Sequence, residues 1–421
     1  MIKISKQGAL KFRTESMDKI VKKQILQEIN ALEVSDLLEL IQANDIRLEE
    51  MVDSGLERAK LHAVQKQLNQ AHVGGQSNGV ATQDANEELK SLCLAIENGE
   101  YDVLDIRNFL LNGVITSDHL KEYTSMTDTI IERINYYQKR ETDFMDWKDL
   151  PALQLDRTDV YFLGQPGSGK SCVLGSLFYY FDKKGILAEN MHNQIGTIYR
   201  NQLKEEFGYG ILPDSTAVDG VNYMPIELRN LNDTELRHPL NFVEMSGEIF
   251  DTAYESGIES IHPKVKEYLS NKNRKILFFV IDYDLHKKSE KMSFGAGQAS
   301  KLTAVLEILD NYGTLSKVDS IYVLVTKSDL FPADRDKLEY ANEFINEYYL
   351  NFVNNLRDKK QKYSNKNSFK VTVYPFTIGL VKYRNMLVTI DNDGAEYVTK
   401  AIQKHAFVGK KSGFLGKIFG N

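Results

Sequence analysis

Cysteine is almost absent from this chain: Cys93 and Cys172 are the only two among 421 residues. Two cysteines are too few for a disulfide framework, which excludes the class of small disulfide-stabilised secreted domains. The longest apolar run, residues 276–281, is far shorter than the roughly 20 residues that cross a bilayer. The first residues are not followed by the apolar stretch of a secretory signal. We therefore expect a protein of the cytoplasm.

The chain also lacks a marked excess of charge of either sign. It has 52 Lys and Arg against 59 Asp and Glu, and its formal net charge is −7. Nucleic acid is bound by surfaces with an excess of positive charge, so this balance predicts no nucleic acid partner. Hydrophobic residues make up 42% of the chain, which excludes disorder throughout and allows about two to three domains at roughly 150 residues each.

The first third of the chain carries apolar residues at helical spacing, without the convergent His, Cys or acidic residues of a catalytic site. We predict a first helical segment over residues 1–72, a flexible linker over residues 73–86, which hold three glycines and no aromatic residue, and a second helical segment over residues 87–150. Residues 28–51 align without a gap to residues 97–120, as duplicated helical hairpins or as unrelated amphipathic helices. Either alternative predicts an all-α module that binds a protein partner.

From residue 157 onward the pattern changes to short β-branched and aromatic runs separated by helical stretches, which is typical of a parallel α/β sheet. The runs predicted as strands are residues 160–163, 222–228, 241–244, 276–281, 321–325 and 371–375. They predict one α/β domain over residues 157–408, with a mostly parallel six-stranded sheet flanked by helices. Residues 409–421 form a tail beyond it.

The residues after the first predicted strand satisfy the phosphate-loop pattern G-x-x-x-x-G-K-[ST]. Glycines let the backbone N–H groups of such a loop surround a polyphosphate, Lys170 can reach its outer oxygens, and the Ser171 hydroxyl can ligate Mg²⁺. The motif predicts a nucleoside triphosphate and Mg²⁺ but does not specify the base. The candidate phosphate-binding residues are Gly164, Gly167, Ser168, Gly169, Lys170, Ser171 and Cys172.

A polar turn, Thr326-Lys327-Ser328-Asp329, directly follows the predicted strand 321–325. The carboxylate of Asp329 can accept hydrogen bonds from the ring N–H and the exocyclic amine of guanine, while the stem of Lys327 can lie over the base. Adenine offers no such pair of donors, so the turn favours GTP. Since one nucleotide must reach both motifs, this interpretation places the turn and the phosphate loop at one edge of a single sheet.

In this order the motifs resemble the Ras-like, TRAFAC-class P-loop GTPases, across roughly residues 157–408. The resemblance implies GTP or GDP with Mg²⁺, and the segment 241–248 stands where that family has Asp-x-x-Gly. Glu244 replaces the metal-binding aspartate, Gly247 matches the glycine, and Glu248 takes the place of the glutamine that orients the attacking water. Glu248 either polarises that water or leaves intrinsic turnover slow.

The resemblance also implies a switch threonine and a last base-contacting loop. Thr216 is the expected switch residue, with Thr197 as the alternative, and Thr377 is the candidate in the base-contacting loop. Arg200 and Arg237 are candidates for an arginine finger in cis. The expected catalytic residues are then Lys170, Thr216 and Glu248, and the expected metal ligands are Ser171, Thr216 and Glu244.

Three further features of the sequence concern partners or biological role. Residues 185–210 are long for a small Ras-like protein and form either a partner or nucleotide-dependent dimer surface or an extra helix packed on the sheet. The pairing of Leu-Pro-x-x-Thr with Ser-Gly-Glu is similar to bacterial double-GTPase-like proteins of conflict and defence gene clusters. The tail, 409–421, sets aromatic and aliphatic residues beside lysines, which predicts either weak membrane contact and a peripheral position there, or a frayed or self-docked end.

Two functional hypotheses of different classes follow from these residues. The first is a GTP-hydrolysing molecular switch whose nucleotide state is coupled to the helical module. The second is a nucleotide-binding scaffold with little or no turnover, which Glu248 favours.

Overall fold

The computed structural model of the chain describes residues 25–26, 29–42, 56, 60, 63–64, 81–137, 150–188, 194–213, 220–291, 297–364 and 369–407. The chain divides into two compact units. The first comprises Met1–Gln138 together with Lys382–Arg384, and the second comprises Lys139–Val381 together with Asn385–Asn421. Within the described residues, no helix is long and apolar enough to span a membrane.

Within Met1–Gln138 of the first unit, the described part is mainly helical. Its α-helices are α1 (Val34–Gln42), α2 (Ala81–Glu97), α3 (Val103–Leu111), α4 (Ser117–Tyr123) and α5 (Asp128–Tyr136). The turns between them are defined by side-chain caps: Asp102 accepts the N–H groups of Leu104 and Asp105, both at 2.9 Å, and Thr116 accepts the N–H of His119. The apolar residues Ile106, Phe109, Ile130, Ile131 and Ile134 are buried.

Two predictions about this unit, the linker and the internal alignment, concern residues that the structure describes. Helix α2 begins at Ala81, inside the stretch 73–86 for which a flexible linker is predicted, so the end of that stretch is helical. Its three glycines all precede Ala81, so no glycine interrupts α2. The helices α1 and α3 begin and end at positions that the internal alignment matches. Any two amphipathic helices can match in this way, so both interpretations of the alignment stay open.

The second unit is built on a seven-stranded sheet of order β2-β3-β4-β1-β5-β6-β7. The strands β4, β1, β5, β6 and β7 are parallel to one another. Beyond β4, the strand β3 pairs antiparallel with β4, and β2 pairs antiparallel with β3. The strands are β1 (Thr158–Leu163), β2 (Leu187–Ala188), β3 (Val221–Arg229), β4 (Arg237–Met245), β5 (Arg274–Asp282), β6 (Val318–Thr326) and β7 (Lys370–Pro375).

The expected fold class, a mostly parallel α/β sheet flanked by helices, is confirmed. All six predicted strands are present, but the predicted number of strands is wrong, since the sheet has seven. The additional strand, β2, has two residues and pairs with Leu228 and Glu227 of β3. A strand of that length has no periodicity that a sequence pattern could reveal.

Helices cover both faces of the sheet. One face carries α6 (Lys170–Lys183), α7 (Gln194–Tyr209) and α14 (Asp393–Ala406). The other carries α8 (Gly247–Ser256), α9 (Pro263–Ser270), α11 (Gln298–Asn311), α12 (Lys337–Tyr348) and α13 (Leu350–Tyr363), and α10 (Tyr283–Lys291) follows β5. Alternation along β1 serves both cores, because Val160 and Phe162 face the first set while Tyr161 and Leu163 face the second.

The insertion 185–210 consists mainly of α7, which packs on the sheet. Its residues Tyr199, Leu203 and Phe207 are buried, and a Cβ atom at Gly175 of α6 would lie 3.2 Å from the carbonyl oxygen of Leu203. The alternative of an extra packed helix therefore describes this segment. A partner or dimer surface on its outer side stays a prediction.

A two-stranded hairpin of β8 (Gly379–Lys382) and β9 (Met386–Ile390) follows β7 and was not expected from the sequence. Gly379 has a φ of +118°, and a Cβ atom there would lie 1.9 Å from the carbonyl oxygen of Thr389. Only glycine fits this position. The glycine of the Thr377-Ile378-Gly379 segment is therefore required by the hairpin.

Candidate nucleotide-binding site

The phosphate loop connects the central strand β1 to α6 and depends on glycine. A Cβ atom at Gly164 would lie 2.5 Å from the carbonyl oxygen of Val280 in the neighbouring strand β5. Gly167 and Gly169 have φ values of +72° and +93°, which side chains rarely adopt. The loop therefore curls against the sheet as the sequence motif requires, with the N-terminus of α6 at its end. Such an end favours bound anions because its N–H groups and its dipole both point outward.

Lys170 is the first residue of α6 and is buried with the loop around it. Its ammonium group donates to the carbonyl oxygens of Gly164, at 3.0 Å, and of Gln165, at 2.9 Å. Burial lowers the pKa of Lys170, although the carboxylates of Glu244, Glu248 and Asp251 act in the opposite direction. A buried ammonium group held by exchangeable carbonyl contacts is suited to an incoming phosphate.

Ser171 and Glu244 meet below the loop. Glu244 lies on β4 opposite Phe162 of β1, and Ser171 Oγ donates to its Oε1 at 2.6 Å. The other carboxylate oxygen, Oε2, accepts from Tyr199 Oη at 2.7 Å and from Asn222 Nδ2 at 3.1 Å. Burial, followed by the charge of Glu244, raises the pKa of Tyr199 well above its ordinary value, so this hydroxyl remains a donor.

These oxygens fit Mg²⁺, although the expected ligand set is incomplete here. A hydroxyl and a single carboxylate are hard oxygen donors, and proteins usually bind Mg²⁺ through one or two carboxylates plus substrate phosphates. Across the ranges that the structure describes, no group of three or more His, Cys, Asp or Glu side chains could hold a metal by itself. The third expected ligand, Thr216, lies outside the described residues. The alternative, Thr197, lies buried within α7.

The segment after β4 is pressed against the phosphate loop. Gly247 begins α8, and a Cβ atom there would lie 2.4 Å from both the N and the Cδ atoms of Pro166. Glu248 follows in the first turn of α8, where its carboxylate accepts a hydrogen bond from Ser246 Oγ. The Asp-x-x-Gly-like segment therefore touches the loop at a position where only a glycine fits, and the carboxylate of Glu248 occupies the adjacent helix terminus.

The polar turn after β6 lies at the same edge of the sheet as the phosphate loop. Thr326 Oγ1 donates to the carbonyl oxygen of Ser168 at 2.9 Å and to that of Ile281 at 3.1 Å. A Cβ atom at Gly169 would be 3.7 Å from Thr326 Cγ2. The two loops are thus adjacent, as the interpretation of one nucleotide reaching both motifs requires.

Asp329 and Thr377 are brought together beside this turn. Asp329 is exposed, and its Oδ1 accepts from Thr377 Oγ1 at 3.0 Å. The backbone joins the two segments as well, because the N–H of Ser328 donates to the carbonyl oxygen of Phe376. The two residues expected to contact the base therefore lie side by side with the carboxylate facing outward from the protein core.

Lys327 is held by a carboxylate that the sequence interpretation missed. Its ammonium group lies 2.9 Å from Asp282 Oδ2 and 3.4 Å from Asp284 Oδ2. Burial opposes the charge on Lys327, but its hydrogen bond to Asp282 and the charges of both aspartates outweigh burial and raise its pKa. Asp282 ends β5, the apolar run 276–281, so the available signal was an acid at the carboxyl end of a buried parallel strand.

The remaining candidates have clear positions. Cys172 lies in the first turn of α6, and burial raises the pKa of its thiol to about 12, so the thiol stays neutral. Arg200 is buried within α7, and its Nη2 donates to Asn201 Oδ1. Arg237 begins β4 at the end opposite Glu244, so it lies at the other edge of the sheet. Arg237 is therefore wrong as an arginine finger in cis.

No family model matches this chain, and no curated protein matches it. Among solved structures, it is similar to the signal recognition particle receptor SRb-GTP/SRX complex from Chaetomium thermophilum, at 16% identity and a TM-score of 0.33, over 60% of this chain and 99% of that one. It is also similar to sup35 complexed with GDP, at 10% identity and a TM-score of 0.23, over 61% of this chain and 49% of that one. At these scores the likeness carries no weight for function, which rests on the site itself.

Proposed function

We propose that this protein binds GTP and GDP at the edge of the sheet formed by the phosphate loop and the turn after β6. The observation that carries the proposal is the direct contact between them, the 2.9 Å hydrogen bond from Thr326 Oγ1 to the carbonyl oxygen of Ser168. A phosphate loop that touches a turn ending in an exposed carboxylate suits a purine nucleotide with donors on its base. Asp329, with Thr377 beside it, selects guanine.

Each residue of the loop has a role in this proposal. The backbone N–H groups of the phosphate loop and the N-terminus of α6 bind the phosphates. Lys170 exchanges its contacts with the loop carbonyls for contacts with phosphate oxygens. Ser171 and Glu244 hold Mg²⁺, together with Thr216. When bound, Mg²⁺ neutralises charge on the phosphate oxygens.

We propose further that the protein hydrolyses GTP slowly and acts as a switch. Lys170 stabilises charge on the transferring phosphoryl group, while Glu248 stands where a neutral glutamine would orient water. A carboxylate repels the γ-phosphate and is bonded to Ser246, which favours slow intrinsic turnover. Loss of the γ-phosphate releases the segments around Thr216 and Gly247 and changes how a protein partner is bound.

The same observation on Glu248 favours a second candidate, a scaffold that binds GTP without turnover. Single-turnover hydrolysis with a Lys170→Ala control separates the two. Conversion of bound GTP to GDP over minutes to hours supports the switch, whereas GTP that stays intact supports the scaffold.

The helical unit is proposed as the module that binds a protein partner, in a sensing or adaptor role in bacterial defence. The protein is proposed to act in the cytoplasm, with weak membrane contact through residues 409–421, which lie outside the described residues. A nucleotide-dependent dimer is proposed through residues 185–210.

Phage challenge of cells that carry the wild type or Lys170→Ala tests the defence role, which requires protection by the wild type alone.

The base assignment is tested by competition. Purified protein is loaded with a fluorescent GDP analogue, and GTP, ATP and XTP are titrated against it. GTP should displace the analogue and ATP should not. In Asp329→Asn the amide offers a donor to the exocyclic oxygen of xanthine, so XTP should gain affinity.

The affinity of Asp329→Asn for GTP should fall by roughly 10- to 150-fold, since one hydrogen bond to a charged group is worth about 1.5–3 kcal/mol. Equal competition by ATP and GTP in the wild type would refute the guanine assignment.

A further inference from the structure

Glu244 is held on one side by two residues that belong to none of the sequence motifs. Its Oε2 accepts from Tyr199 of α7 and from Asn222 of β3, at 2.7 Å and 3.1 Å, while its Oε1 accepts from Ser171. All three partners are buried, and Glu244 itself is 0% exposed. Residues from four elements, β3, β4, α6 and α7, therefore meet at a single carboxylate.

We propose that Tyr199 and Asn222 are positioning residues that turn the Glu244 carboxylate so that Oε1 faces Ser171 and serves Mg²⁺. This inference rests on the proposed function and deepens it. It assigns α7, the helix of the 185–210 insertion, a role inside the metal site in addition to its packing role.

The length of the glutamate side chain gives the physical reason. Glutamate has one more rotatable bond than aspartate, so its carboxylate has more orientations to choose from and more side-chain entropy to lose. Two donors on Oε2 remove that freedom before the metal binds. Hydrogen bonds from partners that do not themselves touch a metal typically contribute 10- to 100-fold to its affinity.

Tyr199→Phe in the full-length chain is the principal test. It removes the hydroxyl and keeps the ring that packs in the core. The release rate of a fluorescent GDP analogue is measured across a Mg²⁺ titration, which yields the Mg²⁺ concentration at half effect. That concentration should rise by roughly 10- to 100-fold, while the affinity for the analogue in EDTA should change less than about twofold.

Tyr161→Phe is the matched control. Tyr161 is also a buried tyrosine, and its hydroxyl donates to the carbonyl oxygen of Tyr268 away from the phosphate loop. Its substitution also removes a buried tyrosine hydroxyl, one that bonds a backbone carbonyl rather than a carboxylate, so thermal unfolding of the two variants compares the cost of losing each hydroxyl. The Mg²⁺ midpoint of Tyr161→Phe should match the wild type.

A second arm uses Asn222→Ala and the exchange Glu244→Asp. Asn222→Ala should raise the Mg²⁺ midpoint in the same direction as Tyr199→Phe. In the Glu244→Asp background the shorter carboxylate no longer depends on Tyr199, so adding Tyr199→Phe should have little further effect on the midpoint.

The outcomes separate this inference from the proposed function. A wild type that binds no guanine nucleotide refutes the proposed function. A wild type with Mg²⁺-dependent GDP retention, joined to midpoints in Tyr199→Phe or Asn222→Ala that stay within about twofold of it, overturns the positioning role alone.

Discussion

Charged residues are buried at both ends of the parallel strands of the central sheet, but the two sets have different kinds of partner. At the edge away from the phosphate loop, Asp159 accepts from Asn241, Asn271 and Asn273, at 2.8 to 2.9 Å. Lys275 lies 3.6 Å from Asp159 and donates to the carbonyl oxygens of Asn271 and Asn273. Every one of these partners is a fixed part of the fold.

At the phosphate-loop edge, by contrast, we propose that a ligand replaces the contacts of Lys170 and Asp329, while Glu244 is held by Tyr199 and Asn222 of the fold. Lys170 donates to loop carbonyls, Ser171 donates to Glu244, and Asp329 accepts from the single hydroxyl of Thr377 while remaining exposed. Burial of charge alone therefore does not identify a functional site. We propose that the candidate site is distinguished by charged groups whose partners an oxygen-rich ligand can replace.

The greatest loss of stability is expected at the closed edge, which is the end of the parallel strands that holds Asp159 and Lys275. Asp159→Ala leaves the ammonium group of Lys275 buried without its carboxylate, and breaking a buried pair in this way costs about 3–5 kcal/mol. Denaturant unfolding should show that loss, and affinity for GDP should stay within about twofold of the wild type among folded molecules. Glu267→Ala, which breaks the more exposed pair with Lys264, is the control and should cost at most about 1 kcal/mol. A large loss of GDP affinity in Asp159→Ala would break the separation of the two edges.

Lys170→Ala should give the opposite pattern. Removing the ammonium group from the phosphate contacts should weaken GTP binding by about 10²–10³-fold, roughly 2.7–4 kcal/mol, by analogy with the loss of a donor aimed at developing charge. The unfolding free energy should change by no more than about 1 kcal/mol, because the lost carbonyl contacts are offset by relief of a buried charge. Calorimetric titration with GTP and denaturant unfolding measure both quantities. A variant that unfolds easily yet retains GTP affinity would contradict the assignment.

Gly247→Ala tests the contact between the segment after β4 and the phosphate loop. A methyl group there overlaps Pro166, and such overpacking typically costs about 1–3 kcal/mol. The loss should appear both in thermal unfolding and in weaker GTP binding, since the loop must shift. Gly297→Ala is the control, because Gly297 lies at the N-terminus of α11 with a φ of −63° and a Cβ atom there meets nothing within 4 Å. Equal behaviour of the two variants would show that the contact is unimportant.

The smallest expected effect is a pH dependence from the closed edge. Burial lowers the pKa of Lys275 to about 8, although the charge of Asp159 acts to raise it. Lysine in the unfolded chain titrates near about 10.4, so between these values the unfolded chain binds more protons and stability rises with pH. From about pH 8 to about pH 9, which lies between the two pKa values, the wild type should gain at most about 1.4 kcal/mol of stability relative to Lys275→Met. Parallel pH profiles of the two proteins would be inconsistent with a lowered pKa.

Much of the fold followed from the sequence because its signals are local. The six runs predicted as strands are strands, and the phosphate loop lies between β1 and α6 as its motif requires. The seventh strand, β2, was missed because a two-residue strand depends on pairing with distant residues of β3 rather than on its own periodicity. The β8–β9 hairpin was missed as well. The expected linker, residues 73–86, extends too far, because α2 begins at Ala81, two residues after the last glycine of that stretch.

The candidate site divides in the same way. Ser171, Lys170 and Asp329 stand in motifs, so their chemistry was visible from their neighbours in sequence. Tyr199, Asn222 and Asp282 were missed because each occupies a position that local pattern explains as a core or strand-end residue. Arg237 was misjudged because the direction of β4 decides which edge it occupies.

The phosphate loop, the alternation of strands and helices, and the residue types proposed to contact a purine nucleotide could be predicted from local sequence, because each of these depends on neighbours within a few positions. Folding alone brings Thr326 into contact with Ser168, Tyr199 and Asn222 into contact with Glu244, and Asp282 into contact with Lys327. These contacts join residues far apart in the chain, and strand order and register place them together.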